Sequence, residues 1–248
     1  RKLTRWVLVV PVMTPKLSSY WLYFVTSTSY KLAVHLVNSM KVEIICSKNN
    51  LNELLNINPI TYDEAIMDAF RRIEQNDIIS SWKDSLANGN FNSNLSVYIQ
   101  VPVFGCLKDE RTMKVLSNEL TLNNIWSIGG TKGWYYANAL WRLRGFMDKL
   151  AGGVGLRRGR THPTELSPGD ALDFWRVLLA NKGQKRLLLF AEMKLPGEAW
   201  LEFFIDEDNV LHQTATFRPK GILGRLYWYS VMPLHSIIFK GMVKRIAA

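Results

Sequence analysis

Aromatic and basic side chains are concentrated in one stretch of the chain, GWYYANALWRLRGFMDKLAGGVGLRRGR, residues 133–160. Three of its arginines, Arg157, Arg158 and Arg160, lie beside glycines, where a bending backbone allows guanidinium groups to converge on a carboxylate or phosphate. Such a group would bind the anionic end of an amphipathic ligand, with the apolar end buried. Residue type alone favours a solvated basic loop at least as strongly, and that alternative stays open.

The same part of the chain holds many large aromatic residues. Aromatic side chains each bury roughly 150–250 Å², so this number exceeds what a minimal core needs. We therefore expect some of them to line a ligand pocket. The candidates are Trp134, Tyr135, Trp141, Trp175, Trp200 and Tyr227. The alternative is that they simply fill the space between a sheet and a helix.

Two carboxylates interrupt otherwise apolar strand-like segments, Glu192 and Glu202. If either faced a cavity, burial would raise its pKa and make it a candidate general acid or base. In an antiparallel sheet with one wet face, alternate residues point to solvent. These two residues are the catalytic candidates, with a solvated carboxylate as the alternative for each.

Other chemistries find little support in the residues. The two cysteines and four histidines are scattered without metal-ligand spacing, and no nucleophile or metalloprotease motif occurs. The sequence therefore predicts neither a metal site nor nucleophilic catalysis. A formal charge of +10 favours anionic partners, but sequence-specific nucleic-acid binding is not favoured, because no helix-turn-helix, zinc or RNP-type motif accompanies the charge.

The elements of the first third read as a partial α/β unit. Residues 5–13, RWVLVVPVM, form an apolar run typical of a strand buried on both faces. A helical pattern follows over 18–40, and VEIIC at 42–46 is a second short strand candidate. Thr61 and Glu64 form a capping box that predicts a helix. Its apolar face would comprise Ala65, Ile66, Ala69, Phe70 and Ile73.

A polar stretch over 86–94, rich in Asn and Gly, predicts a linker between a first unit over 1–85 and a second over 95–248. In the second unit LSVYIQVPVFG and IWSIGG are strand candidates, and 134–150 is a helix candidate. Four further segments separated by short turns, ALDFWRVLLA, KRLLLFAEMKL, AWLEFFID and VLHQTATFRP, indicate an antiparallel meander.

The chain closes with a long predicted helix, about 222–246, that Pro233 should kink. Its expected apolar side comprises Leu223, Leu226, Tyr227, Val231, Leu234, Ile237, Ile238 and Met242. The predicted class is α+β, with a curved sheet around the final helix.

The residues also resemble a known family. VPVMTPKLSSYWLYFVTSTSYKLAVHLVNSM, ITYDEAIMDAFRRIEQ and SSWKDS resemble the C-terminal half of NmrA-like, atypical short-chain dehydrogenase/reductase proteins. GWYYANALWRLRG, LRRGR, GDALDFWRV and AEMKLPGEAWLEF resemble a domain of unknown function appended to many of them. That domain is similar to the START/SRPBCC helix-grip group, which holds apolar ligands between a curved sheet and a long C-terminal helix.

The resemblance implies an NAD(P)-binding, oxidoreductase-type parent protein. The Gly-rich turn that follows the first strand of a dinucleotide-binding domain has no counterpart here, so we expect no cofactor site in this chain and NAD(P) binding only in an intact parent with its N-terminal Rossmann half. GGVG at 152–155 cannot substitute, because it follows a predicted helix instead of joining a strand to one.

The leading hypothesis is a non-catalytic helix-grip domain that binds an apolar or amphipathic small molecule with an anionic end, in a cytoplasmic protein. A second hypothesis is a peripheral membrane or regulatory interaction module, whose basic C-terminal helix, with Lys240, Lys244 and Arg245, docks on an anionic lipid surface or a partner. A third is a cyclase- or hydrolase-like enzyme that uses Glu192 or Glu202.

Overall fold

A computed structural model describes residues 15–26, 30–43, 45, 50–74, 96–156, 160 and 162–248. The strand predicted over 5–13 and the linker predicted over 86–94 lie outside these residues. Of the strand candidate over 42–46, the described residues 42, 43 and 45 have no strand conformation. Among the described residues, none of the helices combines the length and the hydropathy that a membrane-spanning segment requires.

Four helices make up the described part of the first third: α1 (Pro15–Val25), α2 (Tyr30–Ser39), α3 (Leu51–Leu54) and α4 (Tyr62–Glu74). The capping box at the start of α4 is confirmed. The Thr61 backbone N–H donates to Glu64 Oε2 at 2.9 Å, and the Glu64 N–H donates to Thr61 Oγ1 at 3.3 Å. The predicted apolar face is not buried among the described residues, since Phe70 is 61% exposed.

Six antiparallel strands form one sheet in the order β1-β6-β5-β4-β3-β2. They are β1 (Leu107–Lys114), β2 (Ala171–Leu172), β3 (Trp175–Asn181), β4 (Arg186–Ala191), β5 (Gly197–Ile205) and β6 (Val210–Pro219). The meander predicted from the four apolar segments is confirmed as β3 to β6. The sequence did not predict β1, because LKDERTMK is almost entirely polar. This segment forms a strand by pairing with β6.

Four more helices accompany the sheet: α5 (Ser96–Ile99), α6 (Asn118–Trp126), α7 (Asn138–Leu150) and α8 (Gly221–Ala247). Two strand predictions are wrong, since LSVYIQVPVFG contains α5 and IWSIGG begins with the end of α6. Short apolar runs fit either element, and the Ser117 side chain caps α6 by accepting the Leu120 N–H at 3.4 Å.

Helix α7 begins four residues later than predicted, because two residues before it are left-handed. Tyr135 has φ 60° and Ala137 has φ 53°, a conformation that a right-handed helix cannot include. Residues 134–137 therefore form a loop that leads into α7.

The sheet has an inner face, which α8 covers, and an outer face. The inner face contributes alternate residues of each strand, such as Leu201, Phe203 and Ile205 of β5, to the large core. The outer face carries a smaller cluster of Leu178, Leu188, Phe190 and Trp200. The protein is thus α+β, with a six-stranded antiparallel sheet packed against a long C-terminal helix.

Helix α8 confirms the predicted terminal helix and continues through Pro233. Its predicted apolar side is partly wrong, because Leu223, Leu226, Leu234 and Ile237 are 50–74% exposed. The side against the sheet carries Gly224, Trp228, Ile238, Phe239, Met242, Val243, Ile246 and Ala247. Because α8 is apolar on more than one side, its sequence allows two stripes that could be buried, and contact with the sheet decides which one is.

Candidate functional site: the space between the sheet and helix α8

An aromatic cluster occupies one end of the space between the inner face and α8. Its members are Trp134, Trp141, Phe174, Trp175 and Phe239, and every one is at most 8% exposed. The ring centroids of Trp134 and Trp141 lie 5.1 Å apart, and those of Trp141 and Phe239 lie 6.4 Å apart. These separations are typical of interacting aromatic pairs, so the fold brings three of the predicted residues, Trp134, Trp141 and Trp175, together.

Asp173 holds Trp134 in place. Its Oδ2 accepts the Trp134 indole N–H at 2.9 Å and the Gly130 backbone N–H at 3.3 Å. Burial raises the pKa of Asp173, and these two hydrogen bonds offset part of that rise. Asp173 has φ 53° and Tyr135, directly after Trp134, has φ 60°. Left-handed conformations of non-glycine residues cost on the order of 1–2 kcal/mol each and are concentrated at functional sites.

A polar cluster lies on the same inner face, nearer the sheet edge. We use this name for Asp109 and Arg111 of β1, Gln213 of β6, and His235 and Ser236 of α8. Arg111 donates to Asp109 Oδ1 at 2.7 Å and to Ser236 Oγ at 3.2 Å. These bonds join the edge strand to the middle of α8.

Five side chains of this space have buried polar atoms without a hydrogen-bond partner in the described part of the chain. The atoms are Oε1 and Nε2 of Gln213, Oδ2 of Asp109, Nδ1 of His235 and the indole nitrogens of Trp141 and Trp175. Gln213 is 0% exposed and Asp109 is 3% exposed. Buried polar groups in native proteins are nearly always paired, so these atoms make the region between the inner face and α8 a candidate binding site.

His235 connects the polar cluster to the aromatic cluster. Its ring lies 4.8 Å from that of Phe239 and 5.5 Å from that of Trp228, measured between centroids. Burial lowers the pKa of His235; the negative charge of Asp109 opposes this shift and the positive charge of Arg144 adds to it. The imidazole is therefore held in its neutral form near neutral pH.

Arg160 is used to hold loops together. Its guanidinium donates to the backbone carbonyls of Ile128 at 2.7 Å, Trp126 at 2.8 Å and Glu165 at 3.1 Å, and also to the carbonyl of His162. These bonds occupy the donors that an anionic ligand would need. Arg157 and Arg158, the other two members of the predicted anion site, lie outside the described residues.

The two carboxylates considered for catalysis lie on the outer face, away from α8. Glu192 accepts from Arg176 at 2.9 Å, with both side chains at most 1% exposed, and Glu202 accepts from Arg186 at 2.6 Å. Position in the strands explains this, since Arg176 pairs with Phe190 and Glu202 with Leu188, both outer-face residues. The arrangement assigns both carboxylates to ion pairs.

Two further predicted ligand-binding residues lie away from the aromatic cluster. Trp200 is on the outer face, where its indole N–H donates to the Tyr98 carbonyl at 3.0 Å. Tyr227 lies near the beginning of α8, half-buried, with its ring 5.8 Å from Phe217. The remaining candidate, Tyr135, donates its hydroxyl to the Asn124 carbonyl at 3.1 Å beside the aromatic cluster, and burial raises its pKa.

The glycine-rich turn after α7 is organised by Asp148. This carboxylate is 1% exposed and accepts the backbone N–H groups of Gly155 at 2.8 Å and Lys194 at 2.6 Å. A Cβ on Gly153 would collide with the Asp148 side chain. The glycines of GGVG therefore allow close packing against Asp148.

Sequence reasoning assigned no site role to Asp109, Arg111, His235 or Ser236. His235 carried a usable signal, because a histidine stood in the middle of an apolar helix. Asp109 and Arg111 carried none, since their strand alternates polar residues on both sides.

Comparison with known proteins places the second part of the chain in a family. No curated protein and no solved structure gave a significant match. The model of a family described as "Protein of unknown function (DUF2867)" matches residues 106–242, from the first residues before β1 to α8. This match covers more than half of the chain and the elements that enclose the space described above. The chain belongs to the DUF2867 family.

Proposed function

We propose that the protein binds an apolar or amphipathic small molecule between the inner face of the sheet and α8, in the manner of a helix-grip domain. The observation that carries this proposal is a group of buried polar atoms without a hydrogen-bond partner among the described residues, beside an aromatic cluster; the atoms belong to Gln213, Asp109, His235, Trp141 and Trp175.

The energetics support a bound partner. A buried donor or acceptor left without a hydrogen bond costs about 1–3 kcal/mol, and native domains are marginally stable. Several such atoms in one space are easier to reconcile with a ligand that binds them than with a core that serves only packing. The aromatic rings supply the apolar surface that such a ligand would need.

The direct test is native mass spectrometry of the purified protein, followed by organic extraction of whatever adds mass. We expect a co-purifying molecule with a substantial apolar part. Ala215→Leu adds volume to the inner face two residues from Gln213 and should displace it. Thr214→Leu adds volume on the outer face of the same strand and should not.

Ala215 is 6% exposed, and overpacking a core site typically costs about 1–3 kcal/mol. If Ala215→Leu does not fold, Ala215→Val provides the smaller change. Equal retention of the added mass by folded inner-face and outer-face variants would contradict binding in this space.

The reductase resemblance is not part of this proposal. Neither the family match nor helices α1 to α4 supports it, and an NAD(P)-dependent parent stays a prediction. The cyclase- or hydrolase-like alternative is not adopted either, because Glu192 and Glu202 are held by Arg176 and Arg186 on the outer face.

A second candidate function, docking on an anionic membrane surface, is favoured by the outer side of α8. Six apolar residues there are 50–77% exposed: Ile222, Leu223, Leu226, Tyr229, Leu234 and Ile237. Lys240 and Lys244 extend the same side toward the end of the helix and are exposed. Arg245 instead donates to the Tyr135 carbonyl at 2.9 Å, so it is directed toward the protein.

Vesicle co-sedimentation tests this second candidate. Binding to phosphatidylglycerol vesicles should exceed binding to phosphatidylcholine vesicles, weaken with salt, and fall about tenfold or more in Lys240→Glu/Lys244→Glu. The matched control, Lys108→Glu/Lys114→Glu, reverses two exposed charges on β1 and should bind normally. Equal loss in both double variants would indicate a general effect of net charge and overturn docking through α8.

A further inference from the structure

The polar cluster restricts the chemistry of the ligand's polar end. This inference rests on the proposed binding function and goes beyond it, because it specifies which class of amphipathic molecule fits. Residue register defines the geometry. Arg111 of β1 lies directly opposite Gln213 of β6, and Asp109 lies opposite Ala215, two residues further along. Directly opposite side chains in an antiparallel pair have Cβ atoms about 4.5–5.5 Å apart, and diagonal neighbours are still within reach of long side chains.

Gln213 presents one acceptor and one donor group in the plane of its amide. Neither its Oε1 nor its Nε2 has a partner among the described residues, and the side chain is completely buried. Asp109 Oδ2, on the neighbouring strand, is a second acceptor without a partner among the described residues. A ligand group that satisfies these atoms must therefore both donate and accept hydrogen bonds.

The charges around the cluster are already matched. Arg111 Nε lies 2.7 Å from Asp109 Oδ1, and Arg144, whose positive charge acts on His235, lies 4.0 Å from Asp148. The histidine itself is held neutral by burial. A ligand carboxylate or phosphate would therefore find no unpaired cation among the described residues of this cluster. Burying an unmatched charge is strongly unfavourable.

We propose that the polar end of the ligand is an uncharged group with both a donor and an acceptor, of the carboxamide or lactam class, bound by the Gln213 amide and by Asp109 Oδ2. The sequence pointed to an anionic end held by Arg157, Arg158 and Arg160. The geometry of the polar cluster instead selects a neutral amphipathic molecule whose apolar part extends toward Trp141 and Phe239.

The test uses the full chain and three matched probes, decanamide, decanoate and decyl methyl ether, with binding followed by intrinsic tryptophan fluorescence and by calorimetry. Decanamide should bind at least about tenfold more tightly than either of the others at neutral pH, because it alone can pair both atoms of the Gln213 amide. Hexanamide and tetradecanamide extend the series if the decyl chain does not suit the space.

Gln213→Leu keeps a similar volume and removes both polar atoms. It should reduce the preference for decanamide over decyl methyl ether to within about threefold, while binding of the ether is retained or improved. The matched control, Thr214→Val, changes a polar side chain on the outer face of the same strand and should leave the preference intact. Circular dichroism establishes that each variant is folded.

The outcomes separate this inference from the function on which it rests. If no member of either series binds and no mass co-purifies, ligand binding in this space fails as a whole. If the ether and decanoate bind as tightly as decanamide, or if Gln213→Leu leaves the amide preference unchanged, only the neutral-amide inference is overturned. A preference for decanoate that disappears in Arg157→Ala/Arg158→Ala would restore the anionic alternative.

Discussion

The two faces of the sheet differ in how their polar side chains are paired. On the outer face, Glu192 and Glu202 are each bound by an arginine from the adjacent strand, at 2.8 Å and 2.6 Å. On the inner face, under α8, Gln213 is more deeply buried than most core residues and has no partner for its amide in the part of the chain that is described. The outer-face carboxylates form ion pairs within the protein, and our proposal that a small molecule binds rests on the inner-face atoms that have no partner among the described residues.

This contrast is the reason why we propose a binding site on the inner face. The sequence suggested charged residues as candidate acids or ligand anchors. Three of them, Glu192, Glu202 and Arg160, form ion pairs or hydrogen bonds with other parts of the protein. The polar atoms beneath α8 that have no hydrogen-bond partner among the described residues belong instead to Gln213, Asp109, His235, Trp141 and Trp175. A paired charge stabilises the fold, and an unpaired buried amide requires another explanation.

The largest expected effect is on the outer face. Arg176→Met leaves Glu192 as a buried carboxylate without its arginine, so the free energy of unfolding should fall by about 3–5 kcal/mol. Urea denaturation measures this change. Arg186→Met, which breaks the more exposed pair with Glu202, should cost about 1 kcal/mol or less.

The double variant Arg176→Met/Glu192→Met should recover most of the lost stability, because it removes the isolated charge as well. Failure of the double variant to recover would mean that packing or other contacts of Arg176, and not charge pairing, give the outer face its stability.

Arg160→Met tests whether this residue joins loops or binds a ligand. It removes charge-assisted hydrogen bonds to four backbone carbonyls, so we expect a loss of about 3 kcal/mol in urea denaturation. Arg142→Met, at an exposed position on α7, should change stability by less than about 0.5 kcal/mol. A stable Arg160→Met protein with weakened ligand binding would reassign Arg160 to the site.

Gln213→Leu should change the free energy of unfolding in the opposite direction, toward greater stability. In protein freed of bound small molecules, replacing an unpartnered amide with an apolar group of similar size should raise the free energy of unfolding by about 1–3 kcal/mol. Thr214→Val serves as the control on the outer face of the same strand. A destabilised Gln213→Leu protein would show that the amide has a structural partner and would remove the contrast between the two faces.

The smallest effect concerns pH. The pKa of His235 is lowered in the folded state, whereas the unfolded chain has an ordinary histidine pKa of about 6.5. As the pH falls through this value, the unfolded chain therefore binds the proton before the folded protein does. The stability contribution of neutral His235 is thus present above that pH and is lost as the pH falls through it. The negative charge of Asp109 reduces the lowering of the His235 pKa, and the positive charge of Arg144 increases it.

His235→Gln should reduce the decline in unfolding free energy between about pH 7 and about pH 5, measured by urea denaturation at each pH. His35→Gln, at an exposed position on α2, is the matched control. An identical decline in the wild type and in His235→Gln would place the acid sensitivity elsewhere.

Much of the architecture could be predicted. The apolar segments of β3 to β6 and the short turns between them indicated an antiparallel meander, and the long apolar pattern at the end indicated α8. The Thr61 and Glu64 pair indicated the beginning of α4. Each of these signals is local, since it depends on residues within one element or one turn.

The edge strand and the site depend on contacts between distant parts of the chain. LKDERTMK becomes β1 because its backbone pairs with β6, about a hundred residues later, and nothing in its own composition shows this. Period-two alternation says that Asp109 and Arg111 share a face, but not that this face is the inner one.

The sequence by itself therefore determined the class of the fold, the meander, the long final helix and the richness in aromatic residues. Only the tertiary structure decided which stripe of α8 is buried and which aromatic residues meet. It also decided that the described charged candidates are paired, while Gln213 has no partner within the described part of the chain. The physical reason is that secondary structure follows from local periodicity, whereas the pairing of a buried polar atom depends on which distant residue the fold brings within hydrogen-bond distance of it.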